Sequence, residues 1–499
     1  MPLLTLVTFL PMLGALLILV LPKEKVNWQR TAAVVFSGLS FLVSLQILRV
    51  FDPATSALQL AEKSSWIPSF GINYHLGVDG LSLPLLVLTT LLSLLSIIAS
   101  FNIELRVKEY FFWFLVLETG MLGVFVALDF FLFYIFWEVM LVPMYFLIGI
   151  WGGPQKEYAA IKFFLYTLFG SIFMLIAILA LYFRADPHTF DIPQLISQGA
   201  QFGGRFQTVV FLLLFVAFAI KVPIFPFHTW LPLAHVEAPT AVSVILAGVL
   251  LKLGTYGMMR VSFPMFPSAA LWFAIPLLIL AFINIVYGAL VAMAQTDMKK
   301  MVAYSSINHM GYALLGMAAF TVTGFNGAIL QMVNHGIITG SLFLLVGVIY
   351  DRAHTRDLGA FGGLGAKLPV YTGIMVLASM ASLGLPGLAG FISEFLCFLG
   401  AFSANPEAVV FGNTPAFKLF TALSVIGILV TAAFFLRMIE KVFLGPFNAK
   451  WESLKDMSPR ELAAVVPLTA LTIWIGVWPQ WLLSLMNSTV EQMVAFIRQ

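Results

Sequence analysis

The sequence has little charge and almost no cysteine. Only 10% of its 499 residues are charged, 61% are hydrophobic and the mean hydropathy is +1.00, whereas a soluble globular protein averages roughly 25% charged residues. The single cysteine, Cys397, excludes an internal disulfide and leaves no basis for a metal–thiolate site. The net charge of +3 comes from basic residues scattered over loops, so we expect no nucleic-acid partner.

Motifs for nucleotides, metals and redox groups are also missing. The chain has no P-loop, no complete dinucleotide-binding glycine motif, no HExxH and no haem or iron–sulfur spacing. We therefore expect no cofactor and no metal in this chain, and neither ATP hydrolysis nor electron transfer by the chain itself. His228 and His235 in "HTWLPLAH" are expected to cap and hydrogen-bond backbone groups that the neighbouring prolines free.

What the sequence does have is a series of apolar runs. Each is about 20 residues long, enough to cross about 30 Å of hydrocarbon as a helix, and none alternates as the strands of a membrane β-barrel do. The pattern predicts an all-α polytopic protein of the lipid bilayer with about 14 transmembrane helices. We place these spans near residues 2–22, 31–50, 80–101, 110–128, 130–151, 161–183, 207–237, 240–263, 270–294, 300–320, 326–350, 369–403, 415–440 and 462–486.

The distribution of lysine and arginine predicts the orientation. The odd-numbered connections between spans hold about 17 of these residues and the even-numbered connections about 7. Cytoplasmic loops carry the excess of positive charge. We therefore expect the odd connections in the cytoplasm and both termini on the outer side.

Two spans are interrupted by helix breakers. Pro223, Pro226 and Pro232 interrupt the seventh span, and "GLPGLAG" at 384–390 interrupts the twelfth. The two breaks are five spans apart, and a repeated unit of five helices has opposite orientation in its two copies because five is odd. Paired broken helices of this kind indicate an inverted-repeat transporter with its site at the breaks.

Four charged residues stand out inside spans, where a charge costs roughly 2.5–3.5 kcal/mol on insertion scales. They are Glu138, Lys221, Lys252 and Glu394. They could form structural ion pairs or extend to the membrane surface, but intramembrane ionisable groups are functional by default. Two histidines lie in the tenth and eleventh spans, and the sequence leaves open whether they pack or relay protons.

Five longer stretches identify a relationship: "YIFWEVMLVPMYFLIGIWGG", "KVPIFPFHTWLPLAHVEAPTAVSVILAGVLLKLGTYG", "AQTDMKKMVAYSSINHMGY", "HTRDLGAFGGL" and "LGLPGLAGFISEF". In these stretches, and over nearly its whole length, the chain closely resembles the subunit M (chain 4) family of bacterial NADH-quinone oxidoreductase, respiratory complex I. The resemblance implies two inverted five-helix repeats, helices 4–8 and 9–13, each with a broken helix. The corresponding units are residues 1–109, 110–263, 264–445 and 446–499.

The resemblance also implies roles for the intramembrane charges. Glu138 is similar to the family's helix-5 glutamate, Lys221 to the lysine of broken helix 7, and Lys252 to the helix-8 lysine. Glu394 is similar to the acidic group of broken helix 12. The sister subunits L and N and the Mrp-type antiporters typically have lysine there, so Glu394 favours subunit M.

Four further residues complete the set of candidates. His309 and His335 match the histidines of the family's central axis, with protons expected to leave Lys252 through His309, then His335, then Glu394. Glu104 matches a second family glutamate at the cytoplasmic boundary, and His228 is a secondary candidate beside the first break.

The implied function is proton translocation as a subunit of NADH:quinone oxidoreductase in the bacterial inner membrane. The redox groups, namely FMN, the iron–sulfur clusters and quinone, would lie in other subunits, and the expected partners are the antiporter-like subunits L and N. The alternatives are an Mrp-type cation/proton antiporter, a membrane-bound hydrogenase or formate hydrogenlyase homologue, and a structural membrane-arm subunit that has lost pumping.

Overall fold

The structure, a computed structural model, describes residues 2–404 and 414–498. Within these residues, fourteen helical spans follow the order that the sequence predicts. They are α1 (Leu3–Val20), α2 (Val26–Val50), α3 (Ser82–Asn102), α4 (Val107–Val126), α5 (Phe130–Trp151), α6 (Lys156–Arg184), α7a (Gly204–Lys221) with α7b (Leu231–Glu237), α8 (Thr240–Met265), α9 (Ala274–Met293), α10 (Met298–Ala318), α11 (Val322–Ala353), α12a (Pro369–Ser382) with α12b (Ala389–Phe402), α13 (Thr414–Phe443) and α14 (Pro459–Val477).

Twelve helices in the described residues are long and apolar enough to cross a membrane. The other two spans are α10, which carries more polar side chains, and α12, which consists of two shorter apolar helices. The predicted multi-pass helical membrane fold is confirmed. Shorter elements are strands β1 (Gln59–Ile67) and β2 (Ile72–Val78), helices Ile192–Gln198, Pro267–Trp272 and Leu364–Lys367, and the helix α15 (Gln480–Arg498).

Contacts between connections show that successive helices run in opposite directions. On one face, here called the even face, Lys63 before α3 bonds Asp191 after α6. On the opposite face, the odd face, the amide of Gly153 after α5 donates to the carbonyl of Glu237 at the end of α7b, at 2.9 Å. Even-numbered connections therefore share one face of the bundle and odd-numbered connections share the other.

The two halves carry the same backbone clamp on opposite faces. On the even face, Asp129 caps the start of α5 and forms a short antiparallel bridge with Asp191. On the odd face, Asp297 caps the start of α10 and forms the equivalent bridge with Asp357. Because α5 and α10 are five helices apart, this recurrence supports two units of opposite orientation. The boundaries 110–263 and 264–445 stay a prediction.

Helices α8 and α11 lie at the centre of the bundle, and every residue of their most apolar stretch is buried. Both carry buried residues on every side, as a helix enclosed by other helices does. Outer helices such as α2, α13 and α14 bury only about a third of theirs and leave the rest to lipid. Lys252 of α8 and His335 of α11, both buried, therefore face other helices and not lipid.

Small residues set the close packing of α10, α11 and α12b. A Cβ atom at Gly327 of α11 would lie 2.6 Å from the backbone nitrogen of Cys397 on α12b, which is too close for any larger residue without a shift. The buried Cys397 thiol in turn lies 3.0 Å from the position of a Cβ at Gly316 on α10. Close approach through small residues is the usual means of helix association in membranes, and here it brings three polar helices together.

Two elements differ from the sequence prediction. Residues 51–79 look like a polar connection in sequence but contain the antiparallel β1–β2 hairpin. The last span, placed at 462–486, ends at Val477, and a new helix, α15, begins at Gln480. α15 buries one stripe of side chains spaced three or four residues apart, the pattern of an amphipathic helix; they are Leu482, Met486, Val490, Val494 and Ile497.

Asp191 is one of the buried carboxylates that hold the hairpin to the even face. Asp191 is 1% exposed and accepts hydrogen bonds from Lys63 Nζ at 2.7 Å and from His75 Nδ1 at 2.9 Å. Burial alone would raise the pKa of Asp191, but the bonds from His75 and Lys63 outweigh burial and hold its pKa below the usual value. The carboxylate therefore stabilises the docked hairpin in its charged form.

We predict that Asp191→Asn loosens the hairpin. Losing the charge-assisted bonds should lower the free energy of local opening by about 2 kcal/mol, measured by hydrogen exchange of the β2 amides at neutral pH. The additional free energy of local opening in the wild type should be fully present above the unfolded pKa of Asp191, about 3.9. It should be lost as the pH falls through the lower folded pKa. Asp186→Asn, at an exposed carboxylate, is the control. Equal exchange in wild type and Asp191→Asn would contradict this role.

Candidate functional site

Lys252 lies in the middle of α8 and is fully buried. Its turn is flanked by two π-helical segments, Leu246–Leu250 and Met258–Ser262, a distortion that is frequent at functional sites. The Lys252 Nζ donates to the carbonyl of Ala247 in the first segment and lies 2.6 Å from Nδ1 of His335 on α11. Among the described residues, no carboxylate lies within salt-bridge distance of this amine. Its partner is an imidazole.

From His335 the polar contacts continue across α10 to α12b. The rings of His335 and His309 lie with centroids 5.7 Å apart. His309 Nδ1 lies 3.2 Å from Oε1 of Glu394, and its Nε2 lies 2.9 Å from the hydroxyl of Ser382. Lys252, His335, His309 and Glu394 thus form one contiguous series, here called the central series.

The order within the central series corrects the sequence prediction. His335, not His309, contacts Lys252, and His309, not His335, contacts Glu394. The order of spans along the chain does not determine this, because α11 packs against α8, α10 and α12b, and the position of each histidine along its helix decides which group it meets. Any proton that leaves Lys252 along this series therefore meets His335 first.

A small cavity of about 10 Å³ lies against the central series. His309, His335 and Glu394 all line it. This is roughly the space that one water molecule needs. Gln331 beside it donates to the backbone carbonyl of His309 and accepts from Ser393. The ends of the two histidines and the carboxyl group therefore share one polar pocket.

The break in α12 shapes the approach to Glu394. Gly384 and Gly387 between α12a and α12b have φ angles of +82° and +91°, which favour glycine. A Cβ on Gly384 would lie 3.0 Å from Glu394 Oε2. The glycines thus both turn the chain and leave room for the carboxyl group, which is why this break contains "GLPG".

In the first half, Glu138 and Lys221 do not form an ion pair. Among the described residues, Lys221 Nζ has no hydrogen-bond partner and neither does Glu138 Oε1. The buried amine lies 5.2 Å from the ring centre of Trp137 and 5.8 Å from that of Phe163. Aromatic faces attract a cation without fixing its direction, so Lys221 is held beside Glu138 and not bonded to it.

The backbone polar groups that the break in α7 frees are hydrogen-bonded by side chains that the sequence did not indicate. The amide of Phe225 donates to Oδ1 of Asn284 on α9 at 2.8 Å, and Trp230 Nε1 donates to the carbonyl of Ile220 at 2.9 Å. The expectation that His228 and His235 bond the freed backbone is wrong. His228 Nε2 lies 3.2 Å from the hydroxyl of Tyr287, and neither ring nitrogen of His235 has a partner in the described part of the chain.

One sequence candidate lies away from this region, and one buried acid was missed. Glu104 is exposed on the connection between α3 and α4 and contributes nothing to the central series. Glu118 on α4 is fully buried and accepts a hydrogen bond from Ser37 at 3.1 Å, while its Oε2 has no partner among the described residues. Its position in the middle of the apolar run "FLVLETGMLG" could have identified Glu118 as a buried acid from sequence.

The donor and acceptor roles in the central series are consistent with proton movement. If Lys252 is an ammonium, it donates to His335 Nδ1, so the proton of a neutral His335 is on Nε2. If Glu394 is a carboxylate, it accepts from His309 Nδ1, and the Ser382 hydroxyl donates to His309 Nε2. Each group can thus accept a proton on one side and release one on the other.

Comparisons with known proteins agree on one family. The family model "NADH:quinone oxidoreductase/Mrp antiporter, TM" matches residues 127–421, more than half of the chain. NADH-quinone oxidoreductase subunit M of Rhodobacter capsulatus is 44% identical over 99% of this chain and 96% of its own length. A chain of respiratory complex I from Thermus thermophilus is 30% identical, with a TM-score of 0.89 and 99% of both chains covered. A chain of the Mrp complex from Dietzia sp. has a TM-score of 0.83 at 22% identity and covers 99% of this chain and 55% of its own length, which shows the fold alone.

We predict that Asn284→Ala destabilises the break in α7. The substitution leaves the Phe225 amide without its acceptor inside the bundle, which should cost about 1–3 kcal/mol, measured as a lower midpoint of thermal unfolding in detergent. Asn27→Ala on the exposed start of α2 serves as the matched control. An unchanged midpoint for Asn284→Ala would mean that the break is held by other contacts.

Proposed function

Because the chain belongs to the subunit M family of NADH-quinone oxidoreductases, within the NADH:quinone oxidoreductase/Mrp antiporter family, we propose that it translocates protons in the membrane arm of such a complex. The observation that carries the proposal is the contiguous series from Lys252 through His335 and His309 to Glu394 in the enclosed centre of the bundle. Four titratable groups at such spacing, shielded from lipid, are arranged as a proton relay has to be.

The driving step begins in the first half. Quinone reduction elsewhere in the complex alters the electrostatic potential along the membrane arm, and Lys221 moves between the faces of Trp137 and Phe163 and a contact with Glu138. An ion pair and an isolated ammonium have very different fields in a low-dielectric interior. The change alters the affinity of Lys252 for its proton.

The transfer step follows the central series. Lys252 gives a proton to Nδ1 of His335, which releases its Nε2 proton towards the small cavity. A water there passes a proton to His309, and His309 passes one from Nδ1 to Glu394. The proton then leaves from the second half of the protein.

The setting follows from the same family relationship. In this proposal the chain lies in the bacterial inner membrane with its odd face in the cytoplasm and both termini outside, beside the antiporter-like subunits L and N. It holds no redox group itself. FMN, the iron–sulfur clusters and quinone belong to other subunits, so the chain takes part in a translocase without performing its redox chemistry.

The first functional prediction tests whether Lys252 must release its proton or need only carry a positive charge. Lys252→Arg keeps a positive charge that is never released and should lower NADH-driven proton pumping in vesicles roughly 100-fold, as should Lys252→Ala. Lys25→Ala, at an exposed lysine, should pump at the wild-type rate. If the complex assembles and either Lys252 variant pumps normally, Lys252 is not the central proton carrier.

A second prediction tests the end of the series. Glu394→Gln keeps an oxygen that accepts from His309 but cannot take up a proton. The variant should assemble with wild-type stability yet lose pumping to a similar extent as Lys252→Ala. Normal pumping by Glu394→Gln would place the exit elsewhere.

Copurification discriminates among the alternative functions. A tagged chain in mild detergent should bring down subunits with flavin and iron–sulfur clusters, and its proton transport should not depend on Na⁺. Isolation with Na⁺-dependent transport and no redox subunits would favour an Mrp-type antiporter, and copurifying nickel would favour a hydrogenase.

A further inference from the structure

Glu118 is a buried acid that the central series does not use. It lies in the middle of α4 and is 0% exposed. Its Oε1 accepts from the Ser37 hydroxyl of α2 at 3.1 Å, while its Oε2 has no partner among residues 2–404 and 414–498. None of the ion pairs in that part of the chain includes Glu118. Burying a charge without a partner is so costly that such a carboxyl group takes up a proton instead.

Three helices, α2, α3 and α4, surround this carboxyl group, and a side-chain hydrogen bond joins each pair of them. The bond from Ser37 to the carboxyl group joins α2 to α4. Ser44 and Thr90 join α2 to α3, with their hydroxyl oxygens 2.8 Å apart. Ser100 and Tyr110 join α3 to α4, with their hydroxyl oxygens 2.9 Å apart. The acid is therefore enclosed by polar contacts between α2, α3 and α4, and none of its neighbours in this group is a cation.

A row of serines on α3 leads inward from the odd face. It begins at Ser100, which together with Tyr110 lines a cavity of about 310 Å³ on that face. Ser96 and Ser93 follow at about one and two turns from Ser100, so they lie on the same face of α3. Both hydroxyl groups are fully buried and have no partner in the described part of the chain. Buried hydroxyls of this kind are the groups that internal water molecules bond.

The row of serines reaches the depth of Glu118. Ser93 lies about 10 Å from Ser100 along the axis of α3, and Glu118 lies about 12 Å from Tyr110 along the axis of α4. The two helices run in opposite directions and are joined where Ser100 bonds Tyr110. The unpartnered hydroxyl of Ser93 and the unpartnered carboxyl oxygen therefore lie at nearly the same distance from the odd face.

Towards the even face the polar groups end. Ser44 and Thr90 are the next hydroxyls in that direction and bond each other, and Ile47, one turn beyond Ser44, is apolar and fully buried. Thr119, beside Glu118 in the chain, lines a separate and mostly apolar cleft next to the β1–β2 hairpin. The serine row therefore connects Glu118 to the odd face.

We propose that Glu118 is a second proton-binding site of this protein, filled from the odd-face cavity through water bonded to Ser96 and Ser93. A hydronium in the cavity gives up one proton, each water along the row accepts one and passes one on, and Oε2 of the carboxylate gains an O–H bond. The same steps in reverse return the proton. The site stores a proton and follows the proton concentration at the odd face, and it shares no residue with the central series.

The ligand is a proton and not a metal ion. Within the described residues, no group of three or more histidine, cysteine, aspartate or glutamate side chains could hold a metal. Serine hydroxyls and one carboxyl group suit water and a proton, because each hydroxyl donates one hydrogen bond and accepts others.

The first test asks whether Glu118 holds an exchangeable proton. The infrared C=O band of a protonated carboxylic acid disappears when the acid ionises and shifts when deuterium replaces the proton. In the purified complex, the difference between wild type and Glu118→Gln should contain this band, and transfer to D₂O should shift it. A missing band at neutral pH, or a band that D₂O does not shift, would overturn the proposal.

A second variant gives the same information if Glu118→Gln does not assemble. Ser37→Ala removes the hydrogen bond to Oε1, which strengthens the C=O bond, so the band of Glu118 should move to higher frequency. A carboxylic acid spectrum identical to that of the wild type would mean that Glu118 is not protonated.

The path is tested by the rate of deuterium exchange. Ser93→Ala combined with Ser96→Ala breaks no hydrogen bond of the described residues, so the double variant should fold. It should keep the Glu118 band but lengthen its exchange half-time roughly tenfold, because the water molecules of the row lose two hydrogen bonds.

Thr119→Val is the matched control, since it removes a buried hydroxyl without a partner beside Glu118 that faces the other cleft. Its exchange should proceed at the wild-type rate. Unchanged exchange in the serine double variant, or slow exchange in Thr119→Val alone, would show that protons reach Glu118 by another path and would overturn the proposal.

These measurements need no turnover, so they are independent of pumping. If Lys252→Ala pumps normally while the Glu118 band exchanges through the serine row, the proposed relay is wrong and the Glu118 site stands. If Lys252→Ala abolishes pumping and the Glu118 band is absent, the relay stands and the second site is wrong.

Discussion

The contact between Lys252 and His335 is the interaction on which the rest of the structure depends. A lysine at the centre of a membrane is costly, and in the described part of the chain its amine contacts one imidazole and one backbone carbonyl rather than a carboxylate. Such a weak set of partners can be maintained only where lipid is excluded, which explains why α8 and α11 are the helices that the others enclose. In the proposed relay this choice of partner matters, because a carboxylate would hold the proton of Lys252 more firmly than an imidazole does.

Both broken helices place an ionisable side chain beside the break, but they hold that side chain in different ways. At the α7 break, Asn284 and Trp230 satisfy the backbone, and the neighbouring lysine is left among aromatic rings. At the α12 break, glycines with positive φ make room for Glu394, which bonds His309. The first half therefore holds its charge loosely, in a position that responds to its surroundings, and the second half holds its carboxyl group in a defined hydrogen bond.

Much of this arrangement could be predicted from sequence, because membrane spans and intramembrane charges are local signals. The fourteen spans and the two breaks follow from hydropathy, prolines and glycines, and Lys252 and Glu394 stand out as charges within spans. The residues alone left open whether His309 and His335 belong to the same series, and the family resemblance placed them there. The order of His335 and His309 could not be predicted from sequence, because it depends on how the four helices that carry the central series pack together. The roles of Asn284 and of Trp230 depend on contacts between distant segments, as does the free state of His235. The predicted span at 462–486 runs past the end of α14 into the first turns of α15, because "WLLSLM" at 481–486 continues the apolar sequence.

The contact between Gly80 and Thr489 has a consequence for biosynthesis. The Gly80 amide donates to the Thr489 hydroxyl at 3.0 Å across a separation of 409 residues, and α15 lies along the even face near the hairpin that precedes α3. The clamp at Asp129 and Asp191 can close while the second half is still being translated, and the clamp at Asp297 and Asp357 can close later. The junction at Gly80 has to wait until Thr489 has been translated. Until then the Gly80 amide lacks this acceptor, so a ribosome that stalls before α15 leaves α1 to α14 inserted without this contact.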